Sequence, residues 1–147
     1  MPVFFLILGG LASAFALILE ILLIPGAGYG STGLSHLVLA ALIEESAALL
    51  FLWRGFRTFP ETLLRTRLAN GALFAIGFSI PETWLAIQGS APLFTPLAVF
   101  GLHLGSALIL ASSLAPGAQR SKRVGFAFAL AIALHLLYNG LVFLFSS

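Results

Sequence analysis

Apolar residues run almost unbroken through this chain, and the places where they stop define its elements. Five stretches, about 3–24, 34–53, 71–88, 93–114 and 124–145, are built mainly of Leu, Ala, Ile, Phe and Val. A bilayer core of ~30 Å takes ~20 apolar residues of helix, so each stretch is predicted to cross a membrane. The breaks carry turn chemistry. Pro25-Gly26-Ala27-Gly28-Tyr29-Gly30 separates the first two runs, and Arg54 to Asn70 separates the second and third. Gln88-Gly89-Ser90-Ala91-Pro92 reads as a tight turn, and Pro116 to Arg123 as the last loop. The first run does not read as a signal peptide, because no Lys or Arg precedes it and its apolar stretch is too long. The expected fold is all-α: a polytopic membrane protein with about five transmembrane helices in one domain, 1–147. No internal repeat, low-complexity tail or separate soluble domain is evident.

Composition points the same way. Of 147 residues, 60% are hydrophobic and only 8% charged, with a mean hydropathy of +1.09. A soluble domain carries roughly 25% charged residues, and without that polar coat the solvent must be lipid. The absence of cysteine excludes disulfides, iron–sulfur clusters and thiolate zinc sites. A pI near 9.7 does not indicate nucleic acid, because the seven Lys and Arg residues sit in two loops and the aromatics sit elsewhere, in apolar runs.

Those loops report orientation. Arg54, Arg57, Arg65 and Arg67 lie in the second loop, and Arg120, Lys122 and Arg123 in the fourth. With five spans both loops fall on one face, which the positive-inside tendency makes cytoplasmic. The N-terminus is then cytoplasmic and the C-terminus outside, in what is expected to be a prokaryotic cytoplasmic membrane. Phe56, Phe59, Pro60 and Glu61 in the second loop suggest a short amphipathic helix on the headgroups.

The informative residues are the polar ones inside the apolar runs. Of five glutamates, Glu61 is in a loop, whereas Glu20, Glu44, Glu45 and Glu82 are embedded, as are or nearly are His36, His103 and His135. An acidic group at mid-helix costs roughly 2.5–3.5 kcal/mol. Several together rival the net stability of a whole protein, so such residues are functional candidates by default. Counted from the basic end of each run, Glu44, Glu45, Glu82, His103 and His135 lie ~12–17 Å deep at 1.5 Å per residue, near one plane. Glu20 and His36 fall outside this layer, toward the outer face, with His36 an interfacial residue. Glu44 and Glu45 are 100° apart, so only one can face a shared centre. His135 and Asn139 share a face at i and i+4, as do Phe78 and Glu82. Pro81 removes a backbone donor and is expected to kink the third helix before Glu82, freeing the Gly77 carbonyl. Gly101 and Gly105 form a GxxxG, which predicts close helix packing on the side away from His103.

In order along the chain stand Glu44-Glu45, Phe78-Ser79-Ile80-Pro81-Glu82, His103-Leu104-Gly105 and His135-Leu136-Leu137-Tyr138-Asn139, one motif on each successive helix. This order resembles the CPBP superfamily of intramembrane proteases, named for CAAX-processing and bacteriocin-processing enzymes. It is most similar to the PrsW-type branch, in which the second motif carries Glu. The resemblance covers about 34–145. It implies hydrolysis of a peptide bond in or beside the bilayer, with a membrane protein or peptide as substrate. One glutamate of the pair, Glu44 by preference, would activate water. Glu82 would hold that water or a metal, and His103 and His135 would be further ligands or bases. Asn139 would donate to the oxyanion. A divalent metal such as zinc, held by Glu82, His103 and His135, is compatible with the set, as is a metal-free glutamate mechanism. The sequence departs from the family pattern just after the glutamate pair, where Ala47, Ala48 and Leu49 stand in place of a basic residue.

Two other readings stand beside the hydrolase. Carboxylates and histidines also build proton or cation paths, which should be strung through the depth of the bilayer rather than clustered. A non-catalytic binding or scaffold member of the same family fits the missing basic residue. Simple helix glue is a weaker account, because interhelical hydrogen bonds in membranes average only ~0.6 kcal/mol. A bundle this small could form a homo-oligomer, but no stretch of sequence marks the surface.

Overall fold

The computed structural model describes residues 2–24, 34–60, 62–88, 94–115 and 120–146. It is an all-helical bundle of five helices: α1 (Pro2–Leu23), α2 (Leu34–Thr58), α3 (Leu64–Gln88), α4 (Phe94–Ser113) and α5 (Arg120–Ser146). There are no strands among the described residues. Four helices, α1, α2, α4 and α5, are each long and apolar enough to cross a membrane. The chain is thus a polytopic, membrane-integral protein. The least apolar helix is α3, interrupted by Arg65, Arg67, Asn70, Pro81 and Glu82.

The helices run past the ends of the apolar runs. The second continues from Trp53 through Thr58, and the third begins at Leu64 rather than Gly71. The fifth begins at Arg120. At 25 residues, α2 is about 37 Å long, more than the ~30 Å of hydrocarbon. Apolarity marks the part in lipid, but arginine and lysine are good helix formers and let the helix continue into the headgroups. Thr58 closes α2 by donating from Oγ1 to the Arg54 carbonyl at 3.1 Å. The second basic segment is therefore mostly helix rather than loop. Among the described residues no separate headgroup helix forms: Phe56 is buried against Phe5 (ring centroids 5.1 Å apart) and Phe59 packs on Phe4 at 4.9 Å. Glu61 and the turns at 25–33, 89–93 and 116–119 lie outside the described residues.

Going round the bundle, α1 packs on α2 and α3, α3 on α4, α4 on α5, and α5 back on α2, which also touches α4. The most extensive of these interfaces is α1 with α3. Glycines bring the two backbones together. A Cβ on Gly9 would strike the Phe74 carbonyl, and one on Gly77 would strike the Leu6 carbonyl. Small residues at a helix crossing allow this contact, on which packing in lipid depends. The expected role of Gly101 and Gly105 is not seen. Nothing lies within 4 Å of a Cβ on Gly101, and Gly105 meets only the Leu134 side chain. A GxxxG spacing puts two small residues on one face but does not choose a partner. Pro81 lies within an unbroken α3.

Candidate functional site

Each helix brings at least one polar side chain to a common region inside the bundle. Glu82 of α3 and His103 of α4 pair directly, Oε2 to Nε2 at 2.9 Å. His103 is 4% exposed and Glu82 24%, so the pair sits at the edge of the cluster. His135 of α5 places Nδ1 3.0 Å from Oε1 of Glu45 on α2. Both are buried, at 3% and 2%. Glu44 stands between the two pairs. Its Oε2 is 3.9 Å from His103 Nε2 and 3.7 Å from His135 Nε2. The imidazoles face each other edge-on with centroids 5.8 Å apart, and Phe78 packs 4.8 Å from His103.

The adjacent glutamates divide the work as their 100° separation requires. Glu44 faces the shared centre, and Glu45 turns to His135. A carboxylate on one ring nitrogen fixes the tautomer and ring plane, leaving the other nitrogen to act, as carboxylates beyond the ligand shell do for metal-bound histidines. Here Nε2 is the free nitrogen, and it points toward Glu44.

Glu44, Glu45, Ser106, Phe78 and His103 help line a partly enclosed cavity of about 10 Å³. That is roughly the space one water molecule needs. Glu44 Oε2, Glu45 Oε2 and Ser106 Oγ are buried without a hydrogen-bond partner. A buried polar atom without a partner costs about 1–3 kcal/mol, and a water typically makes about three bonds. The three atoms thus outline a water site beside the Glu44 carboxyl.

Among the described residues, Glu44, Glu82 and His103 form a set able to hold a metal, with ligand atoms all within 4.8 Å of one another. In this set Glu44 takes the place expected of His135. Two carboxylates and an imidazole suit zinc with a position left for water. The donor chemistry therefore fits such an ion.

Asn139 donates from Nδ2 to the Leu37 carbonyl at 3.4 Å, tying α5 to α2. Three residues not placed in the layer by sequence also approach the cluster. Ser106 and Tyr138 each come three positions after one of the histidines, a spacing that keeps them on the same helix face. Tyr138 is near enough to Glu82 and Glu44 to interact with both electrostatically.

The third is Glu20 of α1, whose carboxyl interacts with those of Glu44 and Glu82. The expectation that Glu20 stands apart is thus corrected. A depth counted from Trp53 is too small, because α2 ends at Thr58 and Glu44 is 14 residues, about 21 Å, from the basic end. Register agrees: Phe5 meets Phe56 and Phe15 meets Phe51 across α1 and α2, which run antiparallel and bring Glu20 level with Glu44.

Compared with models of protein families, with curated proteins and with solved structures, the chain shows no match to any of them.

Proposed function

We propose that this chain is an intramembrane hydrolase of the protease type, akin to the CPBP superfamily and its PrsW-type branch, which cleaves a peptide bond in or beside a prokaryotic cytoplasmic membrane. The observation that carries the reading is the convergence of Glu44, Glu82, His103 and His135 from four helices, with Glu44 and His103 also lining a small cavity with room for water. The basic ends of α2, α3 and α5 would face the cytoplasm.

In this reading Glu44 is the general base. It has no hydrogen-bond partner at Oε2 and lies beside the cavity. Water gives a proton to Glu44 as its oxygen attacks the carbonyl carbon of the substrate. The tetrahedral intermediate then collapses, the C–N bond breaks, and the amine leaves with a proton from the Glu82–His103 pair, yielding a carboxylate and an amine. Glu45 holds His135 in place. Tyr138 takes the role of oxyanion donor, since the Asn139 amide is engaged with Leu37. A zinc ion on Glu44, Glu82 and His103 would supply Lewis-acid polarisation of the carbonyl and of bound water.

Peptide N-termini in membranes of cells expressing the wild type, Glu44→Gln or Glu82→Gln test this. New N-termini present only with the wild type are expected. Identical sets in all three refute it.

One observation favours a second reading. Glu20 adds a fourth carboxyl on the side of α1, as a proton path would require. Proteoliposomes carrying an internal pH dye separate the two: proton flux lost in Glu20→Gln supports transport, and no flux from the wild type excludes it.

A further inference from the structure

The helices α2 and α5 form a wedge. In the outer half they are held by the Glu45–His135 bond at 3.0 Å and the Asn139–Leu37 bond at 3.4 Å. Toward the basic end they part, and a cleft of about 830 Å³ opens between them. Leu50 and Trp53 line it from α2, and Val124 and Phe128 from α5, with Ser46 at its inner end and Ser121 at its mouth. The volume lies within the ~300–1,000 Å³ typical of small-molecule sites. In water such an apolar cleft would close. In a bilayer it need not, because lipid tails are as apolar as leucine and nothing drives the walls together.

The rim differs from the walls in charge. Arg54, Arg57, Lys122 and Arg123 are all exposed and lie within four residues of a lining side chain. The Arg57 guanidinium sits 5.1 Å above the ring of Trp53, itself part of the wall. All four embedded glutamates, Glu20, Glu44, Glu45 and Glu82, lie deeper in the bundle, so among the described residues no acidic group offsets these cations. An apolar slot rimmed by cations complements a molecule with a hydrocarbon tail and an anionic head. Basic pockets between transmembrane helices bind the headgroups of anionic lipids in this way.

We infer that the α2–α5 cleft is a binding site for an anionic phospholipid, with an acyl chain between Leu50, Trp53, Val124 and Phe128 and the phosphate among Arg54, Arg57, Lys122 and Arg123. The tail would end near Ser46, next to Glu45, linking lipid occupancy to the α2–α5 contact that positions His135.

Native mass spectrometry of the full chain, released from nanodiscs of equal dioleoyl-phosphatidylglycerol and dioleoyl-phosphatidylcholine, tests the site without any assay of hydrolysis. The expected result is one phosphatidylglycerol retained in at least about tenfold preference. The double variant Lys122→Glu, Arg123→Glu should lose that preference by at least about tenfold, given about fivefold per basic residue near an anionic surface. Its positions are exposed, so folding is undisturbed. Leu50→Trp, which fills the cleft, should lower retention of both lipids. Equal retention of the two lipids by the wild type overturns the inference. So does a phosphatidylglycerol preference that survives Leu50→Trp, which would mean that the rim gathers anionic lipid without the cleft.

Discussion

Adjacent glutamates on α2 are expected to respond in opposite directions to the same substitution. Glu44→Gln should stabilise the bundle, whereas Glu45→Gln should destabilise it. The Glu44 Oε2 has no hydrogen bond, and the nearest imidazole nitrogens are 3.7 and 3.9 Å away. Around it stand the carboxyls of Glu20, Glu45 and Glu82. A buried carboxyl held by poor geometry among like groups is a net cost, and replacing such groups commonly gains about 1–4 kcal/mol. A gain of about 1–2 kcal/mol is expected for the isosteric amide, at the low end because glutamine stays polar. The Glu45 carboxyl instead holds His135 at 3.0 Å in a buried setting. Interhelical bonds of this kind in membranes average ~0.6 kcal/mol and reach ~1.7 kcal/mol, so for this buried pair a loss of about 1 kcal/mol is expected. Equilibrium unfolding by SDS in mixed micelles, followed by far-UV circular dichroism, measures both. If Glu44→Gln lowers stability by more than about 1 kcal/mol, the cluster is helix glue and the argument for a functional site fails. A stabilised but inactive Glu44→Gln is the pattern of a site kept for chemistry at the expense of packing.

The geometry sets four further outcomes. Gly77→Ala should destabilise by about 3 kcal/mol in the same unfolding assay, because its methyl would strike the Leu6 carbonyl, whereas Gly101→Ala, facing open space, should be neutral or slightly stabilising. Ser106→Ala should keep the fold and slow cleavage of whichever peptide the N-terminus survey identifies by about tenfold, while Ser106→Val, which fills the 10 Å³ cavity, should abolish it; equal rates in both exclude a role for that cavity. Tyr138→Phe should slow turnover about 100-fold and Asn139→Ala should chiefly lower stability, the reverse result restoring the oxyanion role to Asn139. Glu20→Gln should cost less than about tenfold in cleavage, and complete loss would shift the balance toward a proton path.

Five helices were legible because lipid demands long apolar runs, and the count survived even at α3. Their ends were not legible, since hydropathy marks where lipid stops rather than where the helix does, as Arg54 to Thr58 in α2 show. That difference displaces the depth scale and hides Glu20. The 100° between Glu44 and Glu45 was a stronger signal because it depends only on helical geometry, and the structure indeed turns one inward and the other to a neighbour. Ser106 and Tyr138 were within reach of the sequence, since each stands about one helical turn beyond a histidine and so shares its face. The true close crossing, Gly9 on Phe74 and Gly77 on Leu6 and Gly10, was hidden because pairing between helices is not written in either helix alone.

The grip of α1 on α3 bears on how the chain is made. The third helix is too polar to be relied on to leave the insertion machinery for lipid unaided, carrying Arg65, Arg67, Asn70, Pro81 and Glu82. It finds its largest partner surface on a helix already synthesised two elements earlier. If α3 needs a partner in place before it enters lipid, the first helix, which carries none of the motif residues, would act as an internal assembly factor. Without it, α3 would be expected to stall at the surface, and α4 and α5 would be threaded in the opposite sense. On that account the helix ahead of the motif-bearing segment would decide whether His103 and His135 meet Glu44.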